Sequence, residues 1–376
     1  QDPFPAPWGL LPAGGTALIA AYGAEAVTAR LFTWAPVRRI GAISYSLYLW
    51  HWPIITFWRF EIGDKLTLAD TAIVVAASYV AAELSYRLVE QPALKRWRKG
   101  RSGPILAGNL GVGVAVAAMA FVASSFAEHW RSYPPEVRKV ASYADYRAWP
   151  VHQAQFIEGT CFVSLGMVYD RENCLAMSPT KKNMLVFGDS HAAQYWRAVA
   201  DRYSDWNVAQ ATGAACRPMH GVSTESHCND FVPYVLDKYL PTHRFDVIVL
   251  AGRWLAGEDE ILAGAIEAMQ ATGARVVVIG PVVEYDGEAP QIIADALMRG
   301  DPERAGRRRI LERRERDRAM APVVKATGAD WISAWDIECP ADRCRLLDDE
   351  GGPMHFDYGH VTQSAAKTIV SHLPAF

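Results

Sequence analysis

A chain of 376 residues has room for two domains or more, and 51% hydrophobic against 21% charged residues is apolar for a soluble protein. The formal net charge of -3 leaves no general electrostatic case for binding nucleic acid. The long apolar runs fall in the first third, and the remainder has the composition of an ordinary globular domain. The first residue is Gln1 and no signal-peptide layout follows it, so the chain is expected to be the C-terminal part of a longer protein.

Four segments approach the ~20 apolar residues that a membrane-spanning helix needs. They are 8–30, 40–60, 67–89 and 103–127. Pro, Gly and Glu25 interrupt the first, whereas the last, "PILAGNLGVGVAVAAMAFVASSFA", is the cleanest. Its Gly108, Gly111 and Gly113 imitate a dinucleotide loop, but no strand precedes them, and small residues for helix packing explain them better. Arg38 and Arg39 precede the second segment, and "KRWRKGR" lies between the third and fourth. Basic loops belong on the cytoplasmic side, so alternation places everything after about residue 128 outside the cytoplasm.

The expected organisation is therefore transmembrane helices over 1–127, a linker or extension over 128–180 and a globular domain over 181–376. Cys161, Cys174, Cys216, Cys228, Cys339 and Cys344 all fall in the outer region. An even number there reads as disulfides, and pairing of sequence neighbours (161–174, 216–228, 339–344) is preferred among the pairings available. Zinc is the competing reading. Neither a C-x-x-C pair nor H-E-x-x-H occurs, so no metal is expected.

The extension, "EHWRSYPPEVRKVASYADYRAWP", is aromatic and charged without a chemical signature. From about residue 181, β-rich runs alternate with helical stretches: "NMLVFG" then 190–203, "WNVAQAT" then a Cys-bearing loop, "FDVIVLAG" then 258–271, "ARVVVIGP", "DWISAW", and a last helix near 362–372. That alternation predicts a parallel sheet with helices on both faces. The stretch "DPERAGRRRILERRERDRAMAPVV" predicts a helix whose solvated face is laced with i,i+4 ion pairs.

Within this pattern, "MLVFGDSHAAQYW" (184–196) stops being apolar at Gly188-Asp189-Ser190-His191 and turns amphipathic. Ligands of a doubly wound sheet bind outside the carboxyl ends of its strands, which is where Ser190 falls. Asp-Ser at a helix start is also a plain N-cap. A serine hydroxyl becomes a useful nucleophile only with a base in reach and an acid to orient that base. "HFDYGHVTQSAAK" offers both, with Asp357 three residues before His360. That spacing lets the carboxylate meet one imidazole nitrogen while the other faces Ser190. His355 is the rival base, too near Asp357 in sequence for the same clamp.

"FGDSHA" together with "DYGH" resembles the SGNH (GDSL-type) hydrolase superfamily, over roughly residues 181–376. The resemblance implies an α/β/α domain with a central parallel, flavodoxin-like sheet, Ser190 as nucleophile, and His360 and Asp357 as its partners. It also implies an oxyanion hole built on the backbone N–H groups of Ser190 and of Gly213 in "ATGAACRP". The family's third motif offers an Asn after a Gly. Here "VLAGRW" has Gly252-Arg253-Trp254, and Arg253 is either a substitute oxyanion donor or a residue that holds the site together.

In the apolar third, "IGAISYSLYLWHWPII" followed by "LVEQP" is similar to the closing helices of acyltransferase family 3 membrane proteins, which occur fused to SGNH domains. His51 is the polar membrane-domain candidate, whereas the catalytic His of that family belongs to earlier helices and maps to no residue here. The two resemblances imply O-acyl transfer, acetyl first, to a surface glycan such as lipopolysaccharide O-antigen or exopolysaccharide. They imply the bacterial inner membrane, with the SGNH domain in the periplasm. Acetyl-CoA is the expected donor to the membrane part, no cofactor is expected to stay bound, and the oligomeric state is open. The alternatives are a membrane-tethered carbohydrate acetylesterase and a non-catalytic glycan-binding module, the latter favoured by Arg253 in the Asn position.

Overall fold

The computed structural model describes residues 9–22, 29–63, 65–99, 102–126 and 132–376, in two compact units, Gln1–Trp130 and Arg131–Phe376. In the first unit, helices Ala35–Ile62 and Leu68–Ser85 are tied by Arg39, whose Nε donates to Glu83 Oε2 at 3.0 Å. Thr67 and Asp70 form a reciprocal capping box at the start of the second helix.

Four spans were expected; one described helix, Leu68–Lys95, is long and apolar enough to cross a membrane. Leu10–Ile19 and Leu110–Ser125 are shorter apolar helices, and residues 23–28 of the first expected span lie outside the described residues. The 40–60 segment lies inside the helix Ala35–Ile62, where its serines, tyrosines and His51 lower the hydropathy. A transmembrane bundle is thus not established by these helices. His51 is exposed, its Nδ1 lies 2.7 Å from the carbonyl oxygen of Tyr48 on its own helix, and it borders a groove of about 490 Å³ between Tyr48 and Ser78.

The second unit is built on six parallel strands: β1 Phe162–Val163, β2 Asn183–Gly188, β3 Asn207–Gly213, β4 Val247–Ala251, β5 Arg275–Ile279 and β6 Asp330–Ile332, ordered β1-β3-β2-β4-β5-β6. Every residue of β2 is buried, as expected of a central strand covered on both faces. Leu185 and Phe187 pack on one side with Leu262 and Ile266; Met184 and Val186 pack on the other with Tyr195 and Ile369. Each such fully buried side chain contributes roughly 1.5–3 kcal/mol. The chain runs from β2 to β3 on one side and later to β4 on the other, so the strand order reverses at β2. Gly188 at its end is paired with both Thr212 and Ala251. This reversal point is where such sheets bind ligands.

Residues 132–180 supply β1 and the helices Pro135–Ser142 and Pro150–Phe156 to the second unit. The structure departs from the sequence reading in two places. "DWISAW" is a strand only to Ile332, because the Ser333 hydroxyl accepts from Asp336 N–H and starts the helix Ala334–Glu338. The arginine-rich stretch is two helices, Pro302–Arg307 and Glu312–Ala326. Several of its arginines pair with other elements, as in Arg316 Nη1 to Asp259 Oδ2 at 2.9 Å and Arg313 Nε to Glu284 Oε1 at 3.2 Å.

Disulfides join Cys161 to Cys174, Cys216 to Cys228 and Cys339 to Cys344. His227 sits beside the Cys216–Cys228 pair in a cluster of metal-ligand type, but both sulfurs there are committed to the disulfide.

Candidate active site

The glycine, the acid and the serine that end β2 each have a separate physical reason. Gly188 has φ of +151°, and a Cβ there would lie 1.8 Å from the carbonyl oxygen of Ala251, so no other residue fits without moving β4. Asp189 caps the helix Ser190–Arg202, its Oδ1 accepting from His191 N–H at 2.8 Å. Its Oδ2 accepts from Arg253 N–H at 2.8 Å, which ties the end of β2 to the segment after β4. Asp189 is buried, and that burial pushes its carboxyl above the usual range. Ser190 then occupies the first helical position, where the backbone N–H has no intrahelical acceptor and the helix dipole favours negative charge.

The structure brings the distant partners to this serine. His360 Nε2 lies 2.8 Å from Ser190 Oγ, and His360 Nδ1 lies 2.8 Å from Asp357 Oδ2 and 3.1 Å from Oδ1. Asp357 Oδ1 also accepts from the backbone N–H groups of Gly359 at 2.9 Å and His360 at 2.7 Å. Burial alone would raise the Asp357 carboxyl. The hydrogen bond and charge of His360, the Gly359 N–H and Arg147 outweigh it and hold the group well below the usual carboxylate range. Ser190 is half-buried and His360 is 8% exposed, so the hydroxyl stands at the sheet's rim, within reach of solvent.

His355 is directed elsewhere. Its Nε2 lies 2.5 Å from Glu338 Oε2, in a pair whose side chains are each 1% exposed. His191 packs against His360 at a ring distance of 4.8 Å; burial, then the charge of His360, push its pKa well down, so it forms a neutral wall.

Gly213 lies one residue past the partner of Gly188. A Cβ there would come 2.9 Å from Cys216 Sγ, so the Cys216–Cys228 disulfide can pack against that turn only over a glycine. Arg253 contributes its backbone N–H to Asp189 and lays its guanidinium on buried Glu284, with Nε to Oε1 at 3.1 Å and Nη2 to Oε2 at 2.8 Å. Its Cζ is 5.3 Å from the ring centre of Tyr358, inside the "DYGH" loop.

Several of these residues lay outside the sequence reading. Glu284 beneath Arg253 and Arg147, whose Nη2 donates to Asp357 Oδ2 at 2.6 Å, belong to no motif, and Asp189, though inside "FGDSHA", was not read as a tie between strands. For Asp189 a signal existed in its N-cap position. For Arg147 there was none, because its partner is 210 residues away.

A family profile described as an SGNH domain fused to AT3 domains matches residues 160–375. The chain belongs to that family. Among curated proteins, the peptidoglycan O-acetyltransferase OatA of Listeria monocytogenes is 41% identical over 68 residues, which is 18% of this chain and 11% of that protein. The O-acetyltransferase OatA of Staphylococcus aureus is 36% identical over 69 residues, with the same two shares. The match thus spans about a tenth of the length of these two relatives, 11% in each case. Among solved structures, the periplasmic domain of a lipopolysaccharide acetyltransferase from Salmonella ser. Paratyphi A matches with a TM-score of 0.51 and 19% identity, covering 62% of this chain and 94% of that one. That likeness shows the fold, an SGNH α/β/α domain on a central parallel sheet.

Proposed function

We propose that this SGNH-family chain transfers an acyl group, acetyl in the first instance, to a hydroxyl of a cell-surface glycan through an ester on Ser190. The observation that carries the reading is the relay of 2.8 Å contacts from Ser190 Oγ to His360 Nε2 and from His360 Nδ1 to Asp357. Ser190 Oγ attacks the carbonyl carbon of the acyl donor while its proton passes to His360 Nε2. The tetrahedral oxyanion collapses, the leaving group takes that proton, and the acyl-serine remains. A sugar hydroxyl then attacks the ester, gives its proton to His360, and Ser190 recovers one as the acylated sugar leaves.

Asp357 keeps Nδ1 protonated, so that Nε2 is the basic nitrogen, and stabilises the imidazolium formed during each attack. The backbone N–H groups of Ser190 and Gly213 are the proposed oxyanion donors. The Arg253 guanidinium, braced on Glu284, stands in for the Asn of the third motif.

The wider setting is part of the same proposal. The apolar third would lie in the bacterial inner membrane and pass outward an acyl group supplied by acetyl-CoA, with the SGNH domain in the periplasm. The OatA proteins are named as O-acetyltransferases, and the matching Salmonella structure as the periplasmic domain of an acetyltransferase. Those names favour transfer over hydrolysis for this chain.

The test is a trapping experiment. The full chain in detergent is mixed with p-nitrophenyl acetate and analysed by intact mass, then by peptide mapping. An added acetyl on Ser190, absent from Ser190→Ala and released faster when an oligosaccharide is supplied, is the expected result. Release to water alone, unaffected by any sugar, would turn the assignment to an esterase. No acetyl on Ser190 in a chain that still turns the ester over would remove the serine from the mechanism.

A further inference from the structure

The extension before the sheet reaches the relay. Its 3-10 helix Tyr143–Ala148 and the helix Pro150–Phe156 grip the loop that carries Asp357 and His360. The Tyr146 hydroxyl donates to Gln155 Oε1 at 3.0 Å and accepts from Gln363 N–H at 2.9 Å. Gln155 Nε2 donates to the carbonyls of Gln194 at 2.8 Å and Val361 at 3.1 Å. The Tyr146 ring stacks on Phe356 at 4.8 Å. From this platform Arg147 extends to Asp357: its Nη2 donates to Oδ2 at 2.6 Å, with the Arg side chain 65% exposed and the Asp side chain 5%.

We propose that Arg147 is a positioning residue for the acyl transfer, holding the Asp357 carboxylate in line with His360 and offsetting part of its negative charge. The inference rests on the Ser190 relay being the active site. Two effects follow from the geometry. Asp357 Oδ2 is shared between Arg147 at 2.6 Å and His360 at 2.8 Å, while Oδ1 takes two backbone N–H groups, so the carboxylate cannot rotate away from the imidazole. The guanidinium charge also limits how strongly Asp357 favours the imidazolium over the neutral ring in the resting enzyme, and only the neutral ring can accept the serine proton. The other charged and titratable groups around the pair are Glu158 and His152 on the extension, Glu288 before the helix Ala289–Arg299, and Tyr358 in the loop itself. His191, Asp189 and Arg253 lie on the sheet side. None of these is shown donating to the Asp357 carboxylate.

The experiment compares wild type, Arg147→Ala, Arg147→Gln and Arg147→Lys as full chains hydrolysing p-nitrophenyl acetate across pH. In the Ala and Gln variants, kcat is expected to fall about tenfold with KM within about twofold. The acid limb of kcat/KM should move to higher pH by about half a unit or more, as expected for losing a cation beside the acid–base pair. Arg147→Lys should return the acid limb to its wild-type place and recover part of kcat. A residue that merely supports the fold would lower the unfolding midpoint and leave the limb where it was.

Wild-type kcat and limb in both neutral variants, or a loss that Lys does not relieve at all, would overturn the assignment. Ser190→Ala separates the two layers of argument. If that variant keeps full esterolysis, the serine reading fails whatever Arg147 does. If it is inactive while the Arg147 variants behave as wild type, only the inference about Arg147 fails.

Discussion

Two histidines five positions apart, His355 and His360, each meet a carboxylate, yet only one faces the serine. Glu338 takes Nε2 of His355 and leaves its Nδ1 buried with no protein partner. Asp357 takes Nδ1 of His360 and leaves Nε2 for Ser190. Between them, Phe356 N–H donates to His360 O at 3.0 Å, so the intervening residues form a tight turn with one imidazole in the core and the other at the rim. An imidazole–carboxylate pair is therefore not in itself a catalytic base. Which nitrogen the acid occupies, and whether the other reaches a substrate, decide that.

The comparison breaks most sharply in activity. His360→Ala is expected to lower kcat for p-nitrophenyl acetate by about 10⁴-fold or more, the scale of losing the base from such a unit. Its unfolding midpoint should fall only modestly, because Asp357 loses its chief partner but keeps Arg147 and the backbone N–H groups of Gly359 and residue 360. His355→Ala should do the reverse. Removing one partner of a buried pair leaves Glu338 uncompensated, at a cost of roughly 3–5 kcal/mol. The kcat per folded molecule should stay within a few-fold of wild type. Denaturant unfolding beside steady-state kinetics on both variants checks this. A His355→Ala chain that is stable but inactive would reverse the assignment of roles.

The same contrast shows where the sequence was readable. The strand at 183–188, the helix after it and the Asp-x-x-His spacing are local patterns, and local patterns survive in one dimension. That His360 faces Ser190, 170 residues away, was expected from the two motifs taken together, although periodicity alone gives no sign of it. The tie from Asp189 to Arg253 and the support from Arg147 to Asp357 were hidden: each joins residues whose neighbours in sequence give no sign of the partner. β1 escaped because two residues are too few to show alternation. The arginine-rich helix misled in the opposite direction. Its i,i+4 charges satisfy a solvated-helix pattern, whereas Arg313 and Arg316 are drawn to Glu284 and Asp259 on other elements.

The smallest expected effect sharpens the comparison through pH. The Asp357 carboxyl is held well below the ordinary carboxylate range in the folded chain, chiefly by His360 once burial has been overcome. A depressed folded pKa contributes stability that is complete above the unfolded value, near 4, and is lost as pH falls from there towards the folded value. The contribution at neutral pH is on the order of 2 kcal/mol. Asp357→Asn, which cannot ionise, should therefore be less stable than wild type by about that amount at neutral pH. The gap should close progressively as the pH is taken below about 4. Urea unfolding of both chains at matched pH values measures it. A gap that stays constant through the acid range would mean that the rim pair holds no proton-linked stability, and the two histidine pairs would then differ in exposure and orientation alone.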